Sequence, residues 1–89
     1  MRAVITVVGK DMVGILSGVS EACAKNSVNI IEVSQSILQE LFCMIMLVDL
    51  GDSGVDVARL SEQLKEFGAQ KALQINVMHE DVFNTMHHI

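Results

Sequence analysis

The chain has 89 residues, enough for one domain with a modest core. Hydrophobic residues make up 51% with no Trp, Tyr or Pro, so aliphatic side chains and six Met must fill the interior and leave a surplus that suggests an oligomer. The net charge of −5, from 6 basic and 11 acidic residues, repels phosphate backbones and argues against nucleic acid as a partner.

Arg2 to Val8 is a run of β-branched and small apolar residues that reads as a strand, broken by Gly9, Lys10 and Asp11. From Met12 the period changes. Ile15, Val19, Ala22 and Cys23 form a helical stripe whose last turn Asn26 closes, with Asp11 placed as its cap. Asn29 to Leu38 reads as a second strand, with Ile31, Val33 and Ile37 expected on a buried face and Glu32, Ser34 and Ser36 on a wet one. Gln39 and Glu40 form the hairpin tip. That register pairs Ile37 with Phe42, Gln35 with Met44, Val33 with Met46 and Ile31 with Val48.

Leu41 to Leu50 is a third strand, apolar on both faces, with Phe42, Met44, Met46 and Val48 toward the helices and Cys43, Ile45 and Leu47 away from them. Gly51 to Gly54 is a loop, and Asp56 caps a second helix with the stripe Val57, Leu60, Leu64 and Phe67. Ala72 to His79 is a fourth strand with Leu73, Ile75 and Val77 on one face. Val82, Phe83, Met86 and Ile89 mark a short amphipathic tail. The expected organisation is a domain over residues 1–80 and a tail helix over 81–89.

The order βαββαβ with right-handed crossovers gives an α+β, ferredoxin-like sandwich. It has a four-stranded antiparallel sheet, two helices on one face, and strands one and three at the centre. That fold hosts many functions, and the residues discriminate among them. No C-x-x-C follows strand one, as a metal chaperone would need. No aromatics stand on strand one to stack bases. The two arginines, Arg2 and Arg59, lie outside the first loop, where an acylphosphatase-like site would need one. No nucleophile–base constellation is evident, so no enzyme is expected.

The segment Val4-Ile5-Thr6-Val7-Val8-Gly9-Lys10-Asp11-Met12-Val13-Gly14-Ile15-Leu16, followed by Ser27-Val28-Asn29-Ile30, resembles the ACT domain. The whole chain, including His79-Glu80-Asp81-Val82-Phe83-Asn84-Thr85-Met86-His87, is similar to small stand-alone bacterial ACT proteins related to the ACT repeats of glycine-cleavage regulators. Ser27 departs from the pattern, standing where Gly is usual. The resemblance implies a regulatory module that binds an amino acid or similar effector at a subunit interface, without a cofactor. Residue by residue, the implied ligand set is Asp11, Met12, Val13, Gly14, Asn29 and Ile30. The first loop suits such a ligand physically. A helix start offers N–H groups to a carboxylate, Gly14 allows close approach, and Asp11 and Asn29 can hold an ammonium. Each also has a plain structural reading: Asp11 as a cap, Gly14 for packing, Asn29 for the turn.

A homodimer is expected to cover the sheet face away from the helices through Val4, Ile45, Leu47 and Met78, with Phe83 and Met86 of the tail. His79, Glu80, Asp81, His87 and His88 are candidate metal ligands, but adjacent histidines on a helix diverge, so no metal is expected. Cys23 and Cys43 read as free thiols. With no basic region leading into a long apolar run and no membrane-length segment, a cytoplasmic protein is expected. Two functions stay open: effector binding at the first loop, and a protein–protein interaction module with no small-molecule ligand.

Overall fold

A computed structural model describes residues 1–10, 14–51 and 54–86. The elements in chain order are β1 (Arg2–Gly9), α1 (Ile15–Lys25), β2 (Asn29–Leu38), β3 (Leu41–Asp49), α2 (Val57–Lys71), β4 (Gln74–His79) and α3 (Glu80–Met86). All strand pairs are antiparallel, and the sheet order is β2-β3-β1-β4. The two most apolar strands are therefore central, as the composition of their segments requires.

One face of the sheet carries the core. Ala3, Ile5 and Val7 of β1 and Met44, Met46 and Val48 of β3 are fully buried there against Ile15, Val19 and Cys23 of α1 and Leu60 and Leu64 of α2. Two local devices hold the helices on this layer. A Cβ on Gly18 would fall 2.2 Å from Cζ of Phe67, so the Phe67 ring lies directly against α1 where no side chain intervenes. At the ends, the Asn26 side-chain amide donates to Oε1 of Gln63 at 2.6 Å, and the Gln63 amide donates back to Oδ1 of Asn26 at 3.3 Å.

Both helix ends follow known stop chemistry. α1 closes with Ser27 N–H bonded to the Ala24 carbonyl and Val28 N–H to the Cys23 carbonyl, the two bonds of a Schellman motif. Ser27 sits at its left-handed position with φ 58°, which is why glycine is usual there. α2 starts on Asp56, whose carboxylate accepts from Arg59 N–H at 2.8 Å, as expected, and ends on left-handed Ala72.

Four expectations need correction. Ile31, Val33 and Ile37 are 46, 37 and 62% exposed, because β2 is an edge strand that the helix layer does not cover. A bulge falls between Ile30 and Glu32, so Ile30, not Ile31, pairs with Val48 and packs toward the core. The cap of α1 is Gly14 itself, while Asp11, the residue expected to cap it, lies outside the described residues. α3 begins at Glu80 directly after β4. Met86, expected to pack, is 65% exposed, and Ile89 lies outside the described residues.

Candidate functional site

The β1–α1 loop leaves the sheet at the Gly9 end of β1 and delivers the chain to α1 through Gly14. Gly14 has φ 77°, a left-handed conformation, and among the described residues a Cβ built on it would meet nothing within 4 Å. The residue is there for its backbone conformation and not for helix–sheet packing, since no described part of the sheet or of α2 comes within reach of it. The first bond of the helix is Gly18 N–H to the Gly14 carbonyl at 2.9 Å. The N–H groups ahead of it in the first turn have no partner in the helix, and among the described residues no side chain accepts from them. They form a donor set at the positive end of the helix. Asp11, Met12 and Val13, the other loop residues of the expected set, lie outside the described residues.

Lys10 borders a cavity of about 500 Å³ together with Lys71, Leu41 and Val8. It shares that cavity with a second cation, Lys71. That pairing is invisible in the sequence, where the two are 61 positions apart.

Asn29 is not brought to this loop within one chain. β1 and β2 run parallel with β3 between them, and Asn29 pairs with Asp49, which also pairs with Arg2. It therefore stands at the Arg2 end of the sheet, roughly 23 Å from the Gly9 end for eight residues of strand. Ile30 beside it faces the core.

The face opposite α1 and α2 carries α3. Val4 is buried, Leu47 and Phe83 are half-buried, and Ile45 is 40% exposed. The chain's own α3, and not only a partner, therefore covers part of the face expected to dimerise. Arg2 fixes the start of α3 through Glu80 at 2.9 Å. A further cavity of about 600 Å³ lies in the groove between α1 and α2, lined by Lys25, Arg59 and Phe67 among others. Among the described residues none of the expected ligand set borders it.

Cys23 is buried, and burial pushes its thiol above the usual value, which disfavours the thiolate a nucleophile needs. Among the described residues no three His, Cys, Asp or Glu side chains converge, and His87 and His88 lie outside them. No helix among the described residues is long and apolar enough to cross a membrane.

The ACT-domain family model matches residues 2–78. The chain belongs to the ACT-domain family. It is 53% identical to a UPF0237 protein of Clostridium perfringens over the full length of both chains. It is 44% identical to one of Methanocaldococcus jannaschii over 99% of this chain and 98% of the other. Among solved structures, an ACT domain protein from Streptococcus pneumoniae superimposes with a TM-score of 0.82 at 38% identity, covering 93% of each chain. A protein assigned as a glycine cleavage system transcriptional repressor gives 0.73 at 28% identity over 85% of this chain and 43% of the other. The likeness between this ACT domain and glycine-cleavage regulators, expected from its motif and its tail, thus holds in structure as well.

Proposed function

We propose that this ACT domain is a non-catalytic cytoplasmic regulatory module that binds a small effector, an amino acid by preference, in a site shared between two copies. The observation that carries the reading is Gly14. Its left-handed backbone, with no described residue against it, and a first turn of α1 that no described side chain caps make a carboxylate receptor that packing does not require. Lys10 and Lys71 add positive potential at the same end of an otherwise acidic molecule. In this reading Asp11 is the acceptor for the ammonium group, and Met12 and Val13 complete the ligand set.

The position of Asn29 supports the shared site. A single chain keeps Asn29 and Gly14 at opposite ends of the sheet. Two β2 edges paired antiparallel across a twofold axis reverse this, because the Asn29 end of one β2 then lies beside the Leu38 end of the other. The Leu38 end is the end where the β1–α1 loop stands. β2 suits such pairing: it is a ten-residue edge with no Pro, no Lys and four exposed large apolar side chains. The outer-face contact through Val4, Ile45, Leu47 and Met78 remains the competing arrangement, with α3 already seated on part of it.

The test is a thermal-shift screen with amino acids. At about a hundred times its dissociation constant an effector stabilises the folded state by roughly 2.7 kcal/mol, or more than 10 °C at this size. No shift with any amino acid or close analogue at millimolar concentration rejects the sensor reading in favour of the partner-binding module. If an effector does bind, its signal would pass to a separate regulated protein.

A further inference from the structure

A third, smaller cavity of about 170 Å³ lies on the outer face of the sheet, between α3 and β2. Its floor is apolar: Val4 of β1 and Ile45 and Leu47 of β3. One wall is β2, where Glu32 pairs with Leu47 and Ser34 with Ile45, so both project on the outer face beside the floor. The other wall is one side of α3, the i, i+3, i+4 set Glu80, Phe83 and Asn84. Among the described residues no basic side chain lines the slot. Arg2 neutralises Glu80 at 2.9 Å, which leaves the Glu32 charge uncompensated in the balance of the slot.

We propose that this slot is a second ligand site, for a small organic cation with a short apolar body and no carboxylate, such as an alkylammonium. Three features select that class. The volume falls below the roughly 300 Å³ at which pockets for drug-sized ligands begin, so a peptide or nucleotide does not fit. The floor exposes aliphatic surface, 40% in the case of Ile45, that an apolar chain would take out of water. Among the described residues the rim holds one net negative charge, Glu32, with the Ser34 hydroxyl and the Asn84 amide oxygen beside it as acceptors. A free amino acid would bring its own carboxylate against Glu32 and Glu80, so this class differs from the effector of the β1–α1 loop.

The experiment titrates the full chain with n-butylammonium, with butyrate and butanol as matched controls, and follows saturation by NMR at Ile45 and Phe83. Saturable binding of the ammonium alone is expected, weakened about tenfold or more by Glu32→Gln, which removes a charge-assisted contact at an exposed site. Ile45→Lys should abolish it by placing an ammonium in the slot, and Asp11→Ala should leave it unchanged. Equal binding of butyrate or butanol, an unchanged affinity in Glu32→Gln, or no saturation with the ammonium at millimolar concentration overturns the proposal. So does protection of Ile45 and Leu47 by a face-to-face dimer in the ligand-free protein.

Discussion

Ser27 shows how a single residue can mark a departure from a family pattern and what that costs. It occupies the left-handed position of the Schellman motif that ends α1, where an L side chain is strained by about 1–2 kcal/mol. Ser27→Gly should therefore raise stability by about 0.5–1 kcal/mol once the extra freedom of glycine in the unfolded chain is subtracted. The expected gain in melting temperature is roughly 2–8 °C, and calorimetry checks it. Gly18 predicts the opposite sign. Gly18→Ala drives a methyl onto the Phe67 ring and should destabilise by about 1 kcal/mol or more. The first effect was legible, since the sequence puts a serine where the pattern has glycine. The second was not, because nothing local says that a helical glycine faces a ring 49 positions away.

At the scale of elements, β2 separates what periodicity reveals from what it hides. Alternation gave its limits and the hairpin register from Ile37 to Val33, since side chains on a strand must alternate. It could not say that the strand is an edge. That depends on how far the helix layer reaches, which is a property of the assembled sandwich. The bulge at Ile31 carries no glycine to announce it, so the pairing with Val48 passed to Ile30 unannounced. If β2 is where two copies pair, Ile37→Lys combined with Leu38→Lys should yield a monomer whose melting temperature falls only modestly. Light scattering decides, and an unchanged dimer would point to the outer face instead. α3 has its own test. Removing residues after His79 exposes Val4 and deletes Phe83, so the melting temperature should fall. An unchanged value would mean that α3 contributes nothing to the fold.

For the whole molecule, the order of elements fixed the sheet, and with it a fact about the site that the motif alone obscured. The first loop and Asn29 belong to one family pattern, yet a βαβ path that returns through α1 sets them at opposite ends of the sheet. The proposed assembly of the site from two copies would resolve this, and it can be measured with the effector found by the screen. Asp11→Ala and Asn29→Ala should each abolish binding as pure proteins. Unfolded and refolded together in equal amounts, they should regain about a quarter of the wild-type sites. Half of the dimers are then mixed, and each mixed dimer holds one intact site of two. No recovery in the mixture, or full binding by Asn29→Ala alone, would contradict a site shared across the twofold axis.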